Sequence, residues 1–193
     1  MPVVDDLVAA GFHVRTIADL RYRRLRYSAA VPILISWLPR MESAAVKEEI
    51  VQCLGVSYAK PAAARVLVEE FRRADESLSP GLRWAIGNAL DVVADDSVAA
   101  EMLAIALDCS YGASREMLVV ALGNLGDPRV VPALIELLGD EDVCGHALMA
   151  LGRLAPLRAR PHVEKLLAHP TGWVRREARK ALDSIDRTAA RLH

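Results

Sequence analysis

Leucine recurs at positions 54, 90, 122, 151 and 182, each time in a segment that can be laid on the other four with its small and apolar residues in step. The clearest copies read Val143-Cys-Gly-His-Ala-Leu-Met-Ala-Leu151-Gly-Arg-Leu154 and Val174-Arg-Arg-Glu-Ala-Arg-Lys-Ala-Leu182-Asp-Ser-Ile185. Carried backward, the pattern takes in Ser114 with Leu122 and Leu125, Leu82 with Leu90 and Val93, and Val46 with Leu54. Successive leucines stand 36, 32, 29 and 31 residues apart. A period of roughly 20–50 residues belongs to stacked units, none of which buries its apolar face alone. The chain is thereby confined to an array of small units that share a core.

Each anchor segment follows a second helical pattern, so the unit is a helical hairpin. Pro132-Ala-Leu-Ile-Glu-Leu-Leu138 aligns with Pro161-His-Val-Glu-Lys-Leu-Leu167 and with Pro32-Ile-Leu-Ile-Ser-Trp-Leu38, while the versions at 65–71 and 101–107 lack the proline. Proline suits a first helical turn, where its missing N–H has no partner to lose. Asp127-Pro128 and Ser79-Pro80 set a capping side chain before a proline, and Gly112, Gly126 and Gly139 punctuate helix ends. First helices are expected near 30–40, 62–74, 97–108, 128–138 and 159–168, and second helices near 44–55, 80–93, 114–125, 142–154 and 172–186. No strand pattern competes. Residues 1–28 fall outside the repeat, with a short helix from Asp5 to Gly11 and a basic one from Leu20 to Tyr27, as segments that cap an open array end do. We read residues 1–193 as one repeat domain, with 1–28 the cap and 29–187 the repeats.

A hydrophobic share of 53% with only 5% aromatic residues supplies an aliphatic core for this arrangement. The net charge of −1 lacks the basicity of a general phosphate-backbone binder. Cys53, Cys109 and Cys144 are odd in number and at no metal or disulfide spacing, which points to thiols in a reducing cytoplasm, with no disulfide and no metal. The start Met-Pro-Val-Val-Asp-Asp has no basic leader pattern, and the apolar run from Ala29 to Leu38 is short and broken by Pro32, so no membrane span is expected.

The stretch Leu125-Gly-Asp-Pro-Arg-Val-Val-Pro-Ala-Leu-Ile-Glu-Leu-Leu138, the acidic turn Asp140-Glu-Asp142 and the segment from Val143 to Leu154 resemble the bacterial HEAT repeat of the PBS-lyase HEAT-like type. The resemblance spans about residues 29–187 and is strongest in the last two units. It implies an all-α, right-handed α-solenoid of about five hairpins with an N-terminal helical cap. It implies little about function, because such proteins are mostly interaction scaffolds and function lives in sites grafted on the fold. Some relatives are enzymes, the phycobilin lyases and a class of alkyl-purine DNA glycosylases.

At 100° per residue the second helices bury the equivalents of Val174, Ala178, Ala181 and Ile185 and turn the equivalents of Arg176, Arg179, Lys180 and Asp183 outward. In HEAT-like solenoids that outward face lines the concave surface. Here it carries Glu48, Val51, Gln52 and Gly55, then Trp84, Gly87, Asn88 and Asp91, then Glu116, Val119, Val120 and Gly123, then Gly145, Leu148, Met149 and Gly152. The middle three sets are apolar enough to mark a binding groove. Trp84, Asn88 and Asp91, at i, i+4 and i+7, put an indole, an amide and a carboxylate on one helix face. Lys47, Arg83, Arg115 and Arg175 form a basic column at the flank of the same helices. An internal ladder, paired with turn acids such as Asp108, Asp140 or Asp142, outweighs an anion-binding strip as its reading.

His13, His146, His162, His169 and His193 are scattered, and Cys144 and His146 point to different faces of one helix. Arg21, Arg23, Arg24 and Arg26 with Tyr22 and Tyr27 read as the solvated face of a capping helix ahead of a nucleic-acid contact. There is no phosphate loop and no nucleophile elbow. We therefore expect a non-enzymatic cytoplasmic scaffold without cofactor, a monomer or weak dimer, holding a protein segment in the groove. Trp84 is its anchor, Val119, Val120, Leu148 and Met149 its floor, and Asn88, Asp91, Glu116, Arg176 and Arg179 its polar rim. Nucleic-acid binding, with action on a modified base, is the alternative.

Overall fold

The computed structural model describes residues 1–22 and 26–191, so Arg23, Arg24 and His193 lie outside the described residues. Among these residues every regular element is helical, and the chain divides into two compact units, 1–98 and 99–193. The first unit holds α1 (Pro2–Ala9), α2 (Asp19–Tyr22), the hairpin α3 (Val31–Trp37) and α4 (Ala44–Leu54), and the hairpin α5 (Ala64–Arg73) and α6 (Leu82–Val93). The second holds three hairpins: α7 (Ala99–Leu107) with α8 (Glu116–Leu122), α9 (Val130–Glu136) with α10 (Cys144–Leu154), and α11 (Arg160–Glu164) with α12 (Gly172–Ala190).

These are the expected hairpins, with ends moved by a few residues. Several first helices close in a 3-10 turn, at Leu38–Arg40, Leu137–Gly139 and Lys165–Ala168. The expected start of a helix at Ser114 is instead 3-10 from Cys109 to Arg115, because Gly112 adopts φ 53 and kinks the chain there. Asp127 closes a turn just ahead of α9, its carboxylate accepting the Arg129 N–H at 2.8 Å, and the N-cap position is Arg129, without a side-chain bond. Ser79 does not cap either; α6 starts after Gly81, whose φ of 82 and N–H bond to the Glu76 carboxylate at 2.6 Å set the entry turn.

All five anchor leucines are buried, four of them with no exposed surface and Leu182 at 9%. Second helices pack on each other within each unit, α4 on α6, α8 on α10 and α10 on α12. Glycine and alanine set that spacing. A Cβ on Gly123 would stand 2.8 Å from the Ala150 Cα, one on Gly152 3.4 Å from the Ala181 Cα, and one on Gly55 3.3 Å from the Ala89 Cα. In each of these three pairs the glycine after one anchor leucine faces the alanine before the next in the same unit.

Residues ahead of the first hairpin close its end as expected. Val3 and Leu7 of α1 and Ile17 are fully buried, α1 packs on α3, and the Trp37 indole N–H donates to Asp6 Oδ2 at 2.7 Å. Tyr27 departs from the solvated-face expectation: it is 3% exposed and its hydroxyl donates to the Cys53 carbonyl at 2.9 Å. Cys53 itself is enclosed, and burial pushes its thiol up to about 12, so it is an inert core residue.

Candidate binding surface

The second-helix faces carry the residues singled out by the sequence, but in two classes. Val119, Val120 and Leu148 have no exposed surface at all. The expected apolar floor is therefore core: in the second unit α8 packs on α10, with Gly123 close against Ala150, and α10 packs on α12. Only Met149 of the expected floor retains partial exposure. Trp84 is 53% exposed although α6 is otherwise well anchored, with Ile86 and Leu90 fully buried. Asn88, one turn on, donates from its amide to the Trp84 carbonyl at 2.8 Å, which fixes the side chain along the helix. Asp91 and Glu116 are partly exposed, and Arg176 and Arg179 open to water.

Shallow grooves run between adjacent second helices. In the first unit, Gln52 and Gly55 of α4, Ala85, Asn88 and Ala89 of α6, and Arg21 enclose about 170 Å³. Arg21 reaches across to the Gln52 side chain. In the second unit, Leu148, Met149, Gly152 and Arg153 of α10 face Glu177, Lys180, Ala181 and Ser184 of α12 across about 210 Å³. Lys180 lies over Glu177 at 2.8 Å.

The basic column is an internal ladder. Arg115, with no exposed surface, donates to the carbonyls of Ala106 at 2.8 Å and Gly112 at 2.9 Å and pairs with Asp140 at 2.7 Å and Asp142 at 3.8 Å. Arg83 donates to the carbonyls of Phe71 and Ala74 at the end of α5. Arg175 donates to those of His169 and Pro170, both at 2.7 Å, while Arg176, Arg179 and Lys180 of α12 face water. Lys47 pairs with the buried Glu70, on a helix rather than in a turn. Each cation of the column ties the start of a second helix to a neighbouring helix or turn. The three arginines do so partly by binding carbonyls left open where a first helix ends. Asp108 turns its carboxylate to the Ser110 N–H, at 2.9 Å, and feels Arg115 only through its charge.

A feature missed in the sequence is Trp173. Its ring lies where Gly145 has no side chain, since a Cβ there would come within 2.0 Å of the indole. It also rests on His146, with ring centroids 5.0 Å apart and planes at 54°. The readable signal was a glycine near the start of one second helix and a tryptophan near the start of the next. Burial holds the His146 imidazole below its ordinary range, against the pull of Glu116 and Glu177. Its Nε2 stands 3.9 Å from a Glu116 oxygen.

Among the described residues no group of three or more histidine, cysteine or acidic side chains is placed to hold a metal, and no helix is long and apolar enough to cross a membrane. Residues 99–183 match the family of HEAT repeats. A comparison with curated proteins finds no match. Among solved structures, the chain is similar to a designed armadillo repeat protein in complex with the peptide (KR)4, at 18% identity and a TM-score of 0.54, over 81% of this chain and 82% of that one. A second designed armadillo repeat protein is similar at 16% identity and a TM-score of 0.52, with the same coverage. The chain thus has a helical-repeat fold, and its residues 99–183 are similar to HEAT repeats.

Proposed function

We propose that the chain is a non-catalytic scaffold that holds a segment of another protein against the accessible faces of its second helices. One observation carries this reading: Trp84 keeps 53% of its surface exposed on a helix whose other side is fully packed. Burying a large apolar side chain is worth about 1.5–3 kcal/mol, and aromatic anchors dominate the energy of protein interfaces. Asn88 and Asp91 beside it supply polar partners in the first unit. In the second unit Met149 lines the groove between α10 and α12, and Glu116, Arg176 and Arg179 are accessible polar residues of α8 and α12. The burial of Val119, Val120 and Leu148 narrows the surface to these residues. A protein of similar fold holds a short peptide, which supports a segment as the partner. The arginines of the basic column are engaged on carbonyls and acids of their own chain, which weighs against a phosphate-binding strip. The scaffold we propose works in a reducing cytoplasm as a monomer or weak dimer, the compartment that an odd number of cysteines at no disulfide spacing suggests.

A photo-reactive tryptophan analogue that keeps the indole, placed at position 84 in the native host, tests this. It should attach one protein, while the same residue at the exposed Glu69 of α5 attaches none. Equal attachment at both positions, or none at 84, overturns the reading.

A further inference from the structure

A pocket of about 410 Å³ opens at the starts of α10 and α12, walled among others by Glu116, Glu141, Asp142, His146, Thr171 and Trp173. This lies in the lower part of the roughly 300–1,000 Å³ range of ligand pockets, with room for one long side chain. Three carboxylates line it, with no lysine or arginine among the lining residues. The cations nearby are engaged elsewhere, Arg115 chiefly on Asp140 and Arg175 on the His169 and Pro170 carbonyls. One wall is the Trp173 indole, held rigidly by the space over Gly145 and by the His146 ring. His146, whose side chain is 15% exposed, lines the same pocket.

Carboxylates grouped beside a fixed aromatic face suit a planar cation better than a compact one. A guanidinium stacks on an indole and donates in several directions within its plane, whereas an ammonium presents a point charge. We propose that this pocket receives one arginine side chain of a partner segment, its guanidinium lying on the Trp173 indole and donating to Glu116 and Glu141. The inference rests on the scaffold reading and gives the chemistry of one residue of the bound segment.

The test is an NMR titration of the whole chain, following the indole N–H of Trp173 with N-acetyl-arginine-methylamide as probe. The citrulline analogue, of the same shape without charge, and the lysine analogue are controls. The expected result is a saturable shift of Trp173 with the arginine probe, at least tenfold weaker binding of the lysine analogue, and no response to citrulline. Joint replacement Glu116→Gln and Glu141→Gln, both at exposed or partly exposed positions, should weaken the arginine probe at least tenfold without changing the unfolding midpoint. No saturable shift, equal binding of citrulline or lysine, or unchanged binding by the double variant overturns the proposal. If position 84 still attaches a partner while Trp173 ignores arginine, the pocket fails and the scaffold stands. If Trp173 binds arginine while position 84 attaches nothing, the scaffold reading fails instead.

Discussion

At the residue scale, the side chains that organise this protein are charged groups turned inward. Arg115 is among the largest fully buried side chains, and its four partners come from α7, the kinked 3-10 segment and the turn before α10. Breaking a buried pair by removing one partner commonly costs about 3–5 kcal/mol, because the other charge is left uncompensated. Asp140→Ala should fall near the lower end, about 3 kcal/mol by urea unfolding, since Asp142 remains at 3.8 Å; a loss well under 1 kcal/mol would show that the guanidinium does not depend on it. His146 makes a pH prediction. Its folded-state pKa lies below the ordinary 6.5, first because burial disfavours the imidazolium. The unfolded chain therefore takes up this proton at a higher pH than the folded one, and the stability present above 6.5 is lost as pH falls through the lower folded value. His146→Gln should remove that loss, so the gap in unfolding free energy between variant and wild type should shift in the variant's favour from pH 7.5 to 5.5. A gap that does not change with pH would contradict it.

At the element scale, the hairpins were legible because their apolar period is strong and their first helices open on proline or aspartate. The kink at Gly112 was not, because a positive φ at one glycine leaves no trace in periodicity. The groove floor was misread for a related reason. A helix wheel shows which residues leave one hairpin's own core, but not that the neighbouring helix covers Val119, Val120 and Leu148. The sign of that cover lay in the glycines after the anchor leucines. Two of these now make opposite predictions. Alanine favours a helix over glycine by up to about 1 kcal/mol, but at Gly123 its Cβ would meet backbone at 2.8 Å, and overpacking of that kind costs about 1–3 kcal/mol. At Gly152 the nearest atom is at 3.4 Å, an ordinary contact. Gly123→Ala should therefore destabilise and Gly152→Ala should be neutral or stabilising, both measured by urea unfolding; the same sign at both would refute the packing account.

At the scale of the whole molecule, the repeat announced the fold, and the match of residues 99–183 to HEAT repeats agrees with it. The proposed binding surface was legible only in part. Trp84, Asn88, Asp91, Glu116, Met149, Arg176 and Arg179 stand at accessible positions of second helices, as their spacing implied. Trp173 escaped notice because its place depends on the missing side chain of a residue in another hairpin. Since Trp84 is half in water, truncating it should change stability by no more than about 0.5 kcal/mol, as for surface substitutions generally. Leu122→Ala, in the core, should cost about 2–5 kcal/mol. The deciding measurement is the affinity of purified Trp84→Ala for the protein attached at position 84, set beside its urea unfolding midpoint. We expect binding weakened at least tenfold with the midpoint essentially unchanged; undiminished binding, or an unfolding loss as large as that of Leu122→Ala, would contradict the account.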